Sequence, residues 1–213
     1  MPANEPSDLR KKTRRTQIER TEESSQRMIN VGVRLIIERG PQQTTLKDVG
    51  ELAGYSRGLA SHRFGSKDGL FQEILSQGRK QWAEELRRLV GERRGIEALL
   101  AATEAMRSFL TRSSDQYRAM LILWHEASGN ASPLVEKLRE HHEIQRRDVR
   151  RWIEQGIAQG DIIPTADPDF FAALATSMFY GTAYQWHINP QAFDLEQLFS
   201  GYRQAFETLL RAS

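Results

Sequence analysis

Residues Thr44 to Leu70 read TTLKDVGELAGYSRGLASHRFGSKDGL, three helix starts separated by two tight turns. Thr45 stands as an N-cap, with Asp48 three positions on in a capping-box relation and apolar Leu46, Val49 and Leu52 behind it. Ala53-Gly54-Tyr55 breaks this first helix, and Gly54 supplies the left-handed conformation that the corner needs. Ser56 caps a short second helix, Arg57 to Phe64, with Arg57, Gly58, Ser61 and His62 facing outward and Tyr55, Ala60 and Phe64 inward. Gly65-Ser66 ends that helix and caps a third, with Lys67 in its first turn. Two short helices across a glycine-containing turn, the second with small and basic outward residues, have the geometry that enters a DNA major groove. The same corner also serves as plain structure in helical enzymes and binding modules.

Upstream, a helix beginning near Glu19 or Thr21 stops at Gly40-Pro41. Its Ile29, Gly32, Val33, Ile36 and Ile37 keep the spacing of one buried stripe, which packs behind the two reading helices. Downstream, the spacing predicts a long helix from Ser66 to Val90, then helices over Ile96 to Thr111 and Gln116 to Ala127. Ser128-Gly129-Asn130 ends the last of these, and Ser132-Pro133 opens another that runs to Gly156 or Gln159. Asp169 to His187 is apolar on nearly every face and is therefore expected to be buried all round, which a chain of this size achieves most readily with a second subunit. Leu195 to Leu210 carries a single apolar stripe. No segment alternates with period two, so the expected fold class is all-α, with no strand.

The chain has 213 residues and no cysteine, which excludes a disulfide framework and thiolate chemistry. No apolar run approaches the roughly 20 residues that span a bilayer. The start, MPANEPSDLRKKTRR, lacks the apolar core of a secretory signal, so a cytoplasmic location and no membrane partner are expected. Charge is uneven: residues 1 to 68 carry 13 Lys/Arg against 9 Asp/Glu, and residues 69 to 213 carry 17 against 19. The excess is sharpest where Arg10, Lys11, Lys12, Arg14, Arg15 and Arg20 face only Glu19. Such an arm suits phosphate or minor-groove contact, and is equally the composition of a solvated tail.

Enzyme-like constellations are poor. His125-Glu126 and His141-His142-Glu143 project in different directions around a helix, and no H-x-x-x-H or E-x-x-H pair puts two metal ligands on one face. There is no G-x-S-x-G, Walker loop or G-x-G-x-x-G. The expectation is no enzyme, no metal and no cofactor.

The Thr44–Leu70 stretch with the helix before it resembles the start of the TetR family of transcriptional regulators. Gly40, Thr44-Thr45, Asp48, Ala53-Gly54-Tyr55-Ser56, Gly58, Phe64, Lys67 and Leu70 keep that family's order and spacing over about residues 28 to 70. Ser61 and Arg63 stand where the family usually has Tyr and His, and Gly32 and Gly50 where it has Ala. The resemblance implies a flexible basic arm over 1–20, a helix-turn-helix DNA-binding domain over 21–68, and an effector-binding and dimerisation domain over 69–213. On that basis Arg57 is expected to read guanine, Gly58 and Leu59 to lie against base edges, and His62 to touch base or phosphate. Thr45, Ser56, Ser61, Arg63, Ser66 and Lys67 complete the expected contacts to double-stranded DNA. Trp82, Met106, Phe109, Tyr117, Met120, Trp124, His125 and Met178 are candidates for a small-molecule effector site, with Glu126, His142, Gln185 and Trp186 as further candidates. A Met and aromatic stripe is also ordinary core. Phe171, Leu174, Met178, Gly181, Leu198, Tyr202 and Phe206 are the expected homodimer contacts.

The function so implied is a ligand-responsive repressor released from a palindromic operator by an apolar or amphipathic effector. Alternatives are an effector-independent activator or architectural DNA-binding protein, and a helical enzyme or binding module with a structural corner.

Overall fold

The computed structural model describes residues 16–128 and 133–212. Among the described residues the chain forms α-helices joined by short turns: α1 (Gln17–Arg39), α2 (Leu46–Leu52), α3 (Arg57–Phe64), α4 (Lys67–Leu89), α5 (Gly95–Arg112), α6 (Ser114–Ser128), α7 (Pro133–Gln159), α8 (Pro168–Ile188) and α9 (Leu195–Leu210). Extended pairing among these residues is limited to one bridge between Ile162 and Arg211, which ties the α7–α8 turn to the end of α9. The basic arm through Arg15 lies outside the described residues, as do Gly129, Asn130 and Ser132. Residues 17–20, expected in the arm, instead form the first turn of α1. Thr16 caps it, its Oγ1 accepting from the Glu19 N–H (3.2 Å) while Glu19 Oε2 accepts from the Thr16 N–H (2.7 Å).

The three starts in the opening stretch are each capped by the expected hydroxyl. Thr45 accepts from Asp48 N–H, Ser56 from Leu59 N–H and Ser66 from Gly69 N–H, each at 3.1 Å. Gly54 turns the α2–α3 corner at φ +83°, and the Tyr55 N–H then donates back to the Gly50 carbonyl at 2.8 Å. Behind this corner α1 buries Met28, Ile29, Gly32, Val33, Leu35 and Ile36, with Ile37 half-buried at the stripe's edge. Val49, Ala60 and Leu70 close the same core, and half-buried Tyr55 and Phe64 pack against it.

The α3–α4 corner is tighter than its sequence suggests. A Cβ on Gly69 would stand 2.0 Å from the Phe64 carbonyl oxygen, so only glycine lets α4 leave α3 at this angle. The expected domain boundary at residue 68 therefore falls inside α4, one helix that begins in the head and ends deep in the second half.

Within the single chain the helix enclosed on nearly every side is α5, while α8 keeps one side exposed. Leu99, Leu100, Met106, Phe109 and Leu110 are buried on α5, and small Ala98, Ala102, Ala105 and Ser108 let α4, α7 and α9 approach. Buried Thr103 satisfies its hydroxyl on the Leu99 carbonyl at 2.9 Å, so a residue that looks polar in sequence sits in the core at little cost. On α8, Phe171, Ala172, Ala175, Thr176, Phe179, Thr182 and Ala183 turn inward, while Phe170 and Ile188 stand 57 % and 72 % exposed within the single chain.

Gly69→Ala should leave the helix content unchanged but lower the melting temperature by roughly 5–10 °C, as an overpacked backbone site of about 2–3 kcal/mol does. Thermal melts followed by circular dichroism check this; a melt equal to wild type would show that the corner can relax.

Candidate functional site

The head presents one face of α3. Arg57, Gly58 and His62 are exposed and Ser61 half-buried beside them, and all four stand on the side away from the core. Ser56 and Ser66 are exposed, and each uses its hydroxyl oxygen as a cap acceptor while keeping the O–H to donate.

Four expected contacts are placed differently. Thr45 Oγ1 both accepts from the Asp48 N–H and donates to Asp48 Oδ2 at 2.9 Å, so its hydroxyl is already used on both sides. Leu59, the third residue of short α3, is half-buried against the core and helps to seat the helix. Arg63 is half-buried with its Nε enclosed, away from the exposed edge. Lys67 reaches back to the end of the α1–α2 turn, where its ammonium donates to the Pro41 and Gln42 carbonyls at 3.3 Å each and lies 5.9 Å from the Phe71 ring. This lysine fastens the start of α4 to the turn that leads into α2.

In the second half, Trp82 (α4), Phe109 (α5), Tyr117 and Trp124 (α6) come together as consecutive ring contacts at 5.6, 5.5 and 5.9 Å. The cluster extends to Tyr180 on α8, 5.7 Å from Trp124, and to His187, stacked on Tyr117 at 5.9 Å. His141 and His142 of α7 complete it against Trp124 and Tyr180. Met106 and Met120 are core residues, and Met178 is half-buried on α8. His125 is exposed on the outer side of α6, so it cannot line an interior site; Gln185 is likewise exposed. Tyr180, His141 and His187 escaped the sequence reading because helix periodicity says which face a residue occupies, not which helix stands opposite.

The cluster is closed. Two small chambers flank it, one of about 20 Å³ among Trp82, Gln145, Trp152 and Thr176, the other of about 10 Å³ among Met120, Trp124, Lys137 and His141. Larger hollows, of about 430 and 440 Å³, are open grooves on the outside. Burial governs the titratable groups: it pushes the His141 imidazole down to about 4, with His142 and Arg79 adding to the effect. Burial also lowers His187 to about 4, helped by Arg118 and opposed by Asp115. His142 is lowered by burial and then by Arg146, and the Tyr117 and Tyr180 hydroxyls are raised by burial. All three imidazoles are thus neutral near pH 7.

Among the expected dimer residues, Leu174, Met178, Gly181, Leu198 and Tyr202 are half-buried within the chain, and the Tyr202 hydroxyl lies 2.7 Å from Thr182 Oγ1. Phe171 and Phe206 are core residues of the single chain; Phe206, 1 % exposed, has almost no surface to offer a partner, and Phe171 offers only an edge. The exposed apolar side chains on these helices are Phe170, Tyr184 and Ile188 of α8 and Leu209 of α9. Neighbouring Phe170 and Phe171 differ by about 100° around the helix, and a helix apolar on most sides carries no polar marker of phase. Among the described residues no helix is long and apolar enough to cross a membrane.

Family comparisons agree with this layout. The model for bacterial regulatory proteins of the tetR family matches residues 28–74, and that for the C-terminal domain of BetI-type transcriptional repressors matches residues 95–211. The probable acrEF/envCD operon repressor of Escherichia coli (strain K12) is 24% identical over 188 residues, covering 84% of this chain and 80% of the relative. The HTH-type transcriptional regulator BetI of Burkholderia cenocepacia (strain HI2424) is 31% identical over 113 residues, 52% of this chain and 57% of its own. Two solved structures share the fold: a TetR transcriptional regulator from Chloroflexus aurantiacus (TM-score 0.77, 20% identity, 91% of this chain and 99% of that one) and NalD, the secondary repressor of the MexAB-OprM multidrug efflux pump in Pseudomonas aeruginosa (TM-score 0.71, 20% identity, 91% and 98%).

Two outcomes are expected. The unfolded imidazoles take up protons near their ordinary 6.5 while folded His141 and His187 resist to about 4, so the stability they contribute is complete above pH 6.5 and drains away as pH falls toward 4. Melts across this range should show that loss, and His141→Gln should flatten part of it; a wild-type melt constant from pH 7 to 4.5 would contradict it. Lys67→Met should lower the melting temperature by roughly 2–4 °C, for the loss of about 1 kcal/mol of charge-assisted bonding, whereas Arg57→Ala should leave it unchanged.

Proposed function

Because the chain belongs to the TetR family of bacterial regulatory proteins, we propose that it is a homodimeric, ligand-responsive repressor that binds a palindromic operator through α3. The observation that carries this reading is the free face of α3: Arg57, Gly58 and His62 stand exposed on a short helix whose other side is held by the core. A guanidinium there matches guanine O6 and N7, a pairing that discriminates by roughly 1–3 kcal/mol. Gly58 keeps the backbone low enough for close approach to base edges, while Ser56, Ser61 and Ser66 donate to phosphate. The names of the E. coli and Burkholderia relatives support regulation of transcription, and the former supports repression. The cytoplasm is where such DNA lies.

Dimerisation is supported by the apolar face of α8 and α9, where Phe170, Tyr184, Ile188 and Leu209 are each more than half exposed. A two-fold axis through that face would set the two α3 helices to read half-sites about 34–36 Å apart, or a multiple of that. The effector site is supported by the aromatic cluster, which touches α4, the helix that begins at the head. An effector favours release only through its differential affinity for the two head arrangements, and typical allosteric couplings of about 1–3 kcal/mol change affinity by roughly 5–150-fold.

Binding measured on operator variants over a range of salt tests the reading role of α3. Arg57→Ala should relax preference at one base position, with a loss of about 10-fold on the cognate site and little on others. Ser61→Ala should weaken every sequence alike. Equal losses for both variants on every sequence would overturn the assignment of Arg57. Tyr184→Glu with Ile188→Glu should shift the protein from dimer to folded monomer in sedimentation; a dimer undisturbed by both would move the interface elsewhere.

A further inference from the structure

Tyr117 is 3 % exposed, and its hydroxyl has no hydrogen-bond partner among the described residues. A phenol enclosed on this scale ordinarily finds a partner, and leaving one without it is unfavourable. Rings surround it instead: Phe109 and Trp124 meet it edge to face and His187 lies parallel to it. His187 Nε2 is a second enclosed atom without a partner. The neighbouring hydroxyl, on Tyr180, donates to Gln145 Oε1, so polar atoms in this cluster are satisfied where the chain supplies an acceptor.

The groups that enclose Tyr117 are uncharged, the imidazole of His187 included. Charges stand at the cluster's rim: exposed Arg118 and Asp115 by His187, Arg79 and Lys137 by His141, Arg146 by His142, and Asp148 by Trp82; Lys137 donates to Gln72 at 3.1 Å, Arg146 is paired with Glu143 at 2.9 Å and Asp148 with Arg151 at 3.1 Å. A molecule whose charged end lay at the Tyr117 hydroxyl would lose its hydration among uncharged rings, whereas a neutral one with a hydrogen-bonding oxygen would gain a partner there.

We propose that the effector is a neutral aromatic compound with a single hydroxyl or carbonyl oxygen, its ring inserted among Trp82, Phe109 and Trp124 and its oxygen bonded to the Tyr117 hydroxyl. This deepens the effector reading above and rests on it. The flanking chambers are too small for such a molecule, so it enters by separating the rings. Ligand–ring contacts replace the ring–ring contacts that are lost, each worth about as much. The bond to Tyr117 is then a net gain, because in the closed form that hydroxyl has nothing to lose. Separating Trp82 from Phe109 also displaces α4, the helix that carries the head.

Four probes of one shape test this: 4-propylphenol, propylbenzene, 4-propylbenzoate and 4-propylbenzylammonium, titrated against the full chain at pH 7.5 by tryptophan fluorescence. The phenol should bind about 10-fold more tightly than propylbenzene, as expected for pairing one enclosed polar group, and more tightly than either ion. Tyr117→Phe should bring the phenol to within about two- to threefold of propylbenzene. Without ligand, Tyr117→Phe should melt no lower than wild type, because the atom it removes is unbonded. A melt several degrees lower, an ion binding as well as the phenol, an unchanged preference in Tyr117→Phe, or no binding by any probe would each overturn the proposal. Operator release read in parallel separates the two readings. Phenol binding that depends on Tyr117 but leaves DNA affinity unchanged refutes the effector role and keeps the site. Release by compounds indifferent to Tyr117 does the reverse.

Discussion

The structure depends on the continuity of α4. One helix, Lys67–Leu89, is fixed to the head at its first turn and to the aromatic cluster, through Trp82, near its C-terminal end. The fixation at the head is steric and electrostatic at once. Gly69 lets the helix touch the Phe64 carbonyl, Ser66 caps it, and Lys67 bonds to the carbonyls of the turn that leads into α2. With those contacts in place the head cannot tilt unless α4 tilts. An α-helix of this length bends sharply only at a proline or a disturbed hydrogen-bond ladder, which is the ground on which the proposed effector mechanism couples Trp82 to Lys67.

α6 adds a second connection. It packs on α1 and on α4, and carries Tyr117 and Trp124. Gln116 Nε2 donates to the Ile74 carbonyl at 2.7 Å, and a Cβ at Gly78 would overlap Met120 Sδ at 2.0 Å. Gln42, in the turn before α2, donates to Glu126 near the other end of α6. The head is thus held through α4 and through α6, and both helices contribute rings to one cluster.

Much of this was legible before any coordinates. Hydroxyl caps at Thr45, Ser56 and Ser66 with glycines at 54 and 65 give local rules that tertiary context did not override, and the helices downstream begin and end within a few residues of their expected limits. The outward set of Arg57, Gly58, Ser61 and His62 follows from the same local geometry. What was not legible depends on partners far along the chain. Nothing in the neighbourhood of Lys67 indicates that its ammonium turns back to Pro41, and nothing near Leu59 says that a short helix must use it as an anchor. Within the single chain it is α5 that is enclosed, through small residues and a self-satisfied threonine that hydrophobicity underweights, whereas α8 keeps the exposed apolar side for which the sequence calls on a second subunit. In the aromatic cluster, Trp82, Phe109, Tyr117 and Trp124 do meet, but the histidines that complete it come from α7 and α8, and only the packing brings them there.

The division of labour that results is economical in parts. A small capped head offers a reading face, a packed helical body offers an apolar surface and an enclosed cluster, and shared helices join them. The central claim is that the head reads a specific sequence as one of a pair. The most direct measurement is selection of bound fragments from a fragmented genome by the purified protein at fixed, physiological salt. The account predicts enrichment of one or a few sites, each an inverted repeat with half-sites about one helical turn apart or a multiple of it. Recovery of no enriched site, or of DNA without regard to sequence, would contradict it.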